Sequence, residues 1–327
     1  MNRTRVAVVG AGISGLAAAW LLRARHEVTL YEAEDRLGGH AHTVDIDCDG
    51  IRHPVDTGFL VFNDRTYPHL VGLFRHLDVP VAASDMSFSV QVEAERLEWA
   101  GTSLATLFAQ KRNLVNRKFW RMLGDILRFN RDAPRQLARR TLGERTVGEF
   151  LERGRYSAAF ADWYLLPMAA AIWSCPVAAM REFPVASFVR FFDNHGLLGI
   201  ANRPRWMTVR GGAREYVRRM AADLPDVRLA CPVARITRDA HGVSVASACG
   251  VERYDQVVLA AHSDQALAML GDAGDAERQV LGAVRYQPNE AILHTDASFL
   301  PRRREAWAAW NYVSACRPAW LSPADRR

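Results

Sequence analysis

Lysine is almost missing from this chain: Lys111 and Lys118 are the only two in 327 residues. The formal net charge of +6 is therefore carried almost entirely by arginine. Cysteine is sparse and scattered at Cys48, Cys175, Cys231, Cys249 and Cys316, with no C-x-x-C pair and an odd total. That pattern argues against a disulfide framework and fits a reducing compartment, so the cytoplasm is the expected location. Long apolar runs are missing too. The longest, around residues 164 to 173, contains Pro167 and is too short to span a bilayer. No internal repeat or low-complexity tract is present, which excludes solenoid and fibrous classes. His40 and His42 form an H-x-H pair, but no further ligands at metal spacing lie nearby, so no metal site is expected. The first apolar strand begins within five residues of Met1, which leaves no room for a signal peptide or transit segment.

The remaining composition is that of a globular protein. At 49% hydrophobic, the chain is long enough for two domains and a sizeable core. Its most informative segment is residues 5 to 32, RVAVVGAGISGLAAAWLLRARHEVTLYE. An apolar strand leads into G-x-G-x-x-G, an alanine-rich helix, a second strand and a closing acid. Gly10 allows the tight turn, Gly12 lets backbone approach a pyrophosphate, and Gly15 lets the helix lie close to the sheet. The helix N-terminus around Ile13 and Ser14 then offers unpaired N–H groups and the positive end of its dipole to a diphosphate. Glu32 follows at the distance where a carboxylate accepts both ribose hydroxyls of an adenosine. The context of strand, turn, helix and strand makes this a dinucleotide-binding βαβ unit.

The cations cluster from residue 110 to 140, QKRNLVNRKFWRMLGDILRFNRDAPRQLARR, where Leu114, Phe119, Leu123, Ile126 and Leu127 recur at helical period. Two readings are open: a peripheral membrane contact through an amphipathic basic helix, or a solvated helix face. The second is favoured. No nucleic-acid module accompanies the charge, so nucleic acid is not an expected partner.

Along the chain the pattern changes twice. Residues 1 to about 75 read as the nucleotide unit, about 80 to 200 as mostly helical and aromatic-rich, and about 205 to 265 as strands and turns again. TVRGGAREYVRRMAADL reads as a second Gly-rich turn entering a helix, VRLACPVARITRD as strands, and residues 257 to 261 as a buried parallel strand suited to a sheet centre.

The run VVGAGISGLAAAWLL with YEAEDRLGG resembles the N-terminus of the flavin-containing amine oxidase superfamily, which also holds protoporphyrinogen oxidases and carotenoid desaturases. VDTGFLVFNDRTYPHL, DMSFSV, WYLLPMAAAIWSCP and RFFDNHGLL are similar, more narrowly, to a bacterial group of NAD/FAD-binding amine oxidoreductases. The resemblance covers nearly the whole chain. It implies an α/β fold with a discontinuous Rossmann-like FAD/NAD(P)-binding domain, residues 1–78 and 205–268. A helical and mixed-sheet substrate or cap domain would take 79–204 and 269–327.

It implies that FAD is held by Gly10, Gly12, Ile13, Ser14, Gly15, Glu32, Arg36, Gly38 and Gly39, with His40, Gly58, Gly211, Gly212 and Val233 as further contacts. His40 stands where many amine oxidases have arginine. The superfamily also closes with a Gly-rich segment beneath the flavin. Residues 313 to 327 contain no glycine, so a C-terminally truncated chain is expected, with its activity in doubt.

The resemblance also places a lysine near flavin N5 in amine oxidases, on a strand similar to residues 288 to 301. Asn289 and Glu290 occupy the candidate positions here. That weakens amine oxidation and favours dehydrogenation or desaturation of a hydrophobic, lipid-like substrate. Tyr164, Trp173, His195 and Trp206 are the pocket candidates. The aromatic residues equally suit a cap core. His195 is either a general base oriented by Asp193 or part of an ordinary turn at residues 194 to 196.

Overall fold

The computed structural model describes residues 3–199 and 204–314. The glycine-free tail, including Cys316, lies almost wholly outside them. The chain forms two compact units, each assembled from separated segments: Met1–Phe62, Tyr67–Ala83 and Met207–Ala291 in the first, and Asn63–Thr66, Ser84–Trp206 and Ile292–Arg327 in the second.

The first unit is built on a four-stranded parallel sheet. Arg5–Val9 lies between Glu27–Tyr31 and Gln256–Leu259, and Asp226–Arg228 adds outside Glu27–Tyr31. Val6, Ala7 and Val8 are buried on both faces, the burial expected of a parallel strand covered on each side. Full burial of each valine contributes about 1.5–3 kcal/mol. The helix Ile13–Leu22 returns the chain to the neighbouring parallel strand and packs Leu16, Ala19 and Trp20 into one core cluster. The strand expected at the sheet centre is Gln256–Leu259, and it is one of the two edge strands, only half buried on three of its residues.

On the other side, the antiparallel meander Val233–Asp239, Gly242–Ser247 and Gly250–Tyr254 covers Ala7, Val9 and Tyr31. Cys231, just before the meander, and Cys249, in the turn between its second and third strands, are joined in a disulfide with Cα atoms 5.8 Å apart. This corrects the expectation from the odd cysteine count. Chain folding brings the pair together whatever the number left over.

The expected boundary at residue 268 also shifts. Leu267, Met269, Leu270, Ala273 and Leu281 pack against the meander, so residues 269 to 291 belong with the first unit.

The second unit opens with strands where helix was expected. Phe88–Val92 and Leu97–Ala100 form a hairpin, and Trp310–Ser314 pairs parallel to Phe88–Val92 with Tyr312 beside Val90. Helices follow. Arg117–Ala138 begins at Asn116, whose side chain accepts from the N–H groups of Lys118 and Phe119. Its apolar stripe, Phe119, Met122, Phe129 and Ala133, is buried against the hairpin and neighbouring helices. Asp125 is buried on the same stripe. Burial pushes its carboxyl up, but the Ser157 N–H and hydroxyl and the Arg128 and Arg121 guanidiniums outweigh it and hold the pKa below the usual carboxylate value.

Residues 285 to 296 form no strand. This corrects the expected strand over 288 to 301: Pro288 cannot donate to a ladder, and Asp296 turns the chain by accepting from the Ser298 N–H. Among the described residues no helix is long and apolar enough to cross a membrane.

Candidate functional site

A ligand cavity in an α/β sheet is expected outside the carboxyl ends of its strands. The first unit has one there. It has a volume of about 1160 Å³ and is lined by residues just past three parallel strands: Gly10, Gly12, Ile13 and Ser14 after the first, Glu32 to Glu34 after the second, and Ala260 to His262 after the last.

Gly10 makes the turn at φ +98°, and a Cβ there would sit 2.8 Å from the Ala260 carbonyl oxygen. Gly15 faces away from the cavity. Its missing Cβ would lie 1.8 Å from the Gly10 carbonyl oxygen, which is the close helix-to-strand approach that the third glycine serves. At Gly12, by contrast, a Cβ would meet nothing within 4 Å. No side chain caps this helix N-terminus, and its first turn holds no acid. The uncapped N–H groups and the helix dipole make a ready anion site.

The Glu32 carboxylate is fixed by two backbone donors, the Ala11 N–H at 2.7 Å and the Glu34 N–H at 2.9 Å, one on each oxygen. Each oxygen keeps a lone pair for a ligand hydroxyl. Arg36 donates to the Gly39 carbonyl at 2.9 Å and pairs with Glu34 at 2.9 Å, which places a cation on the cavity wall. Gly38 docks on the first turn through its N–H to the Ala11 carbonyl. Val233 lines the wall at the start of the meander. Volume, uncapped helix, pre-set carboxylate and adjacent cation all fit the adenosine diphosphate portion of a dinucleotide such as FAD.

His40 also lines the cavity. Its ring stacks at 5.9 Å on His262, which stacks at 4.4 Å on Tyr286, an exposed three-ring ladder at the cavity wall. His42 instead bonds to the Thr57 hydroxyl at 2.8 Å. Among the described residues no group of three potential ligands could hold a metal ion.

Several expected contacts lie elsewhere. Gly58 packs its α-carbon against the His40 carbonyl and does not line the cavity. Gly211 and Gly212 form the second turn as expected, but the helix they enter, Arg214–Ala221, is closed by the protein itself. The Ala213 N–H donates to both Asp56 carboxylate oxygens, at 2.9 and 3.1 Å, and the Arg214 N–H donates to the Thr43 hydroxyl. Neither glycine lines the cavity.

Asn289 and Glu290 are exposed on irregular chain. The Nδ1 of His195 lies 2.9 Å from the Phe191 carbonyl, and its ring stacks on Phe191 at 4.0 Å and on Trp206 at 6.3 Å. The Phe191 carbonyl therefore orients the imidazole, with Gly196 at φ +67° turning the chain. Tyr164 packs between Trp99 and Phe160, and Trp173 packs among Phe183, Phe188, Phe191 and Phe192, which makes both part of the helical core.

The sequence reading missed Tyr31, Phe59, Tyr67, Leu70, Tyr216, Cys231, His262 and Gln265, all of which line the cavity. The carboxyl ends of the parallel strands were a signal for Cys231 and His262; the apolar residues carried none. Burial, then the hydrogen bond to Tyr254, pushes the Tyr31 phenol well up, and burial does the same for Tyr216, so both stay neutral.

The model of the family "Flavin containing amine oxidoreductase" matches residues 13–312. Over 265 residues the chain is 29% identical to the "Putative flavin-containing monoamine oxidase AofH" of Mycobacterium tuberculosis, covering 78% of this chain and 56% of that protein. It thus spans little more than half the length of this curated relative. Putrescine oxidase bound to putrescine has a similar fold, with TM-score 0.64 and 22% identity over 86% of this chain and 63% of the other. So has a "CLA-producing fatty acid isomerase" from P. acnes, with TM-score 0.61 and 18% identity over 85% of this chain and 63% of the other. The chain belongs to the flavin-containing amine oxidoreductase family, whose cofactor is FAD.

Proposed function

We propose that this chain is the FAD-holding portion of an oxidoreductase of dehydrogenase or desaturase type, acting on a hydrophobic, lipid-like substrate. The cavity supports the FAD assignment. Glu32 accepts the ribose hydroxyls, the N–H groups around Gly12, Ile13 and Ser14 face the diphosphate, Arg36 offsets its charge, and Val233 borders the adenosine. Phe59, Leu70 and the neutral Tyr67 and Tyr216 supply apolar wall that excludes water from the same cavity. Bound FAD would supply a two-electron acceptor for the two hydrogens removed from the substrate.

The single observation that carries the choice of substrate class is the distribution of lysine. Lys111 opens the short 3-10 helix Lys111–Val115 and Lys118 lies in the first turn of the basic helix, both exposed, and Lys118 pairs with Glu95 at 3.5 Å. No lysine exists in the first unit to serve as the amine-oxidase lysine. Between the two neighbours, this favours chemistry on fatty acids, as named for the P. acnes isomerase, over oxidation of amines, as named for putrescine oxidase.

The test is anaerobic titration of the FAD-loaded protein with unsaturated and saturated fatty acids and with primary amines, following the visible flavin spectrum. Bleaching by a fatty acid and not by amines is the expected result. Bleaching by amines alone would replace this reading with amine oxidation.

A further inference from the structure

The second unit carries a feature that the redox reading does not use. The short 3-10 helix Lys111–Val115 ends in an apolar tip: Leu114 is 51% exposed, Val115 85% and the following Trp120 51%. This tip is rigidly held. Trp120 Nε1 donates to the Leu114 carbonyl at 2.8 Å, and the ring lies 5.5 Å from Phe108. The base of the turn is pinned to the hairpin, where Gln110 bonds to the Arg96 carbonyl and the Glu98 N–H, and the buried Asn113 amide donates to the Glu98 carbonyl. A pinned apolar tip retains its exposure. It is not a loop that can fold back to hide it.

Beside the tip lies a hollow of about 430 Å³ ringed by Arg96, Arg112, Arg302 and Arg303. None of these guanidiniums forms an ion pair among the described residues. Arg112 is spent on the Glu95 and Arg96 carbonyls, which still leaves its charge uncompensated. Glu98 lies at the wall, but its two oxygens accept the Arg302 and Arg303 backbone N–H groups at 3.3 and 3.2 Å. Glu93, at the rim, is the other carboxylate there. Gln91 also lines the hollow, 9% exposed, with its Oε1 buried and without a hydrogen-bond partner. A buried acceptor left unpaired costs about 1–3 kcal/mol, and a ligand hydroxyl in the hollow would remove that cost. Arg112 and Val115 are three apart in a 3-10 helix, so hollow and tip share one side of it.

We propose that this face docks on an anionic phospholipid surface whose headgroup carries a hydroxyl, such as phosphatidylglycerol. The headgroup phosphate enters the arginine hollow, its hydroxyl donates to Gln91 Oε1, and Leu114, Val115 and Trp120 enter the boundary of the acyl region. Paired cations and apolar side chains are what interfacial binding requires. The proposal narrows the basic segment to its start, because the rest of the helix buries its apolar stripe. It rests on this face alone and is independent of the substrate reading.

The test is co-sedimentation of the full chain with vesicles of phosphatidylcholine alone and of phosphatidylcholine mixed with phosphatidylglycerol, at low and raised salt. Binding to the anionic vesicles that weakens with salt is expected. The double substitution Arg302→Ala, Arg303→Ala should lower it about thirtyfold, from about a factor of five per cation near the surface. Val115→Asp should lower it about tenfold or more, whereas Leu127→Asp, at an exposed site further along the helix, should not change it.

Equal binding to both vesicle types, or wild-type binding by Val115→Asp, would overturn the proposal. So would no vesicle binding together with saturable binding of soluble glycerol phosphate, which would make the hollow a site for a free phosphate ester. A soluble protein that competes for the tip without any vesicle binding would make the face a protein interface instead.

Discussion

The first unit contains two Gly-rich turns that each enter a helix, and they have opposite fates. The turn at residues 10 to 15 leaves its helix uncapped toward a cavity. The turn at residues 211 and 212 delivers its helix N-terminus to the Asp56 carboxylate and the Thr43 hydroxyl. Both satisfy the same physical demand, that N–H groups at a helix start find acceptors. One meets it with the protein's own side chains. The other leaves it for a ligand, and an unfilled helix N-terminus on a cavity is therefore a stronger sign of a site than glycine itself.

Substitutions can separate the two turns, and the largest effect is expected at Gly15. Its added methyl would meet the Gly10 carbonyl at 1.8 Å, so Gly15→Ala should lose about 3–5 kcal/mol of stability and with it FAD binding, measured by thermal unfolding and flavin fluorescence. Gly12→Ala should act differently. With nothing within 4 Å of the new Cβ, the apo-protein should melt as wild type, while FAD affinity falls by about 1.5–3 kcal/mol through lost backbone contacts to the diphosphate. Equal melting and equal affinity would show that the first turn does not meet the cofactor.

Glu32→Ala should weaken FAD by about 1–3 kcal/mol, read by titration calorimetry, since two hydrogen bonds to a charged group are removed. At the second turn the pattern should invert. Asp56→Ala should cost about 1–2 kcal/mol of unfolding free energy, by loss of the cap, with FAD affinity unchanged. A drop in affinity there would mean that both turns serve the ligand.

The smallest effect concerns Asp45, whose carboxyl is held below its usual pKa chiefly by its hydrogen bond to Arg214, next to the second turn. A lowered folded pKa gives stability that is present above the unfolded carboxylate pKa and lost as pH falls through the folded value. Asp45→Asn should slightly flatten the acid side of the stability profile, followed by melting temperature between neutral and acid pH. Because the group is exposed, solvent screens the pair and the change should be small.

The first turn, Glu32, Arg36 and the glycine pair 38 and 39 were legible in the sequence because their roles are local. Each depends on backbone turn geometry and on spacing along one βαβ unit. Gly58, Gly211 and Gly212 were read by the same glycine signal, and the structure places them against Thr43, Asp56 and His40 rather than on the cavity wall. Asn289 and Glu290 lie on irregular chain because a strand exists only where a partner edge accepts it. Tyr164 and Trp173 show the limit of composition, for a core and a pocket wall draw on the same aromatic residues.

The sequence by itself determined the nucleotide unit, with its strand, turn, helix and strand, and the restriction of lysine to Lys111 and Lys118, because these are properties of residue type and short-range spacing. Tertiary structure alone decided which glycine turn stays open, which cysteines meet, and that the basic helix buries its stripe yet leaves Leu114, Val115 and Trp120 exposed beside an arginine hollow. Those outcomes depend on which distant side chain reaches a given atom first, and no local pattern encodes that distance.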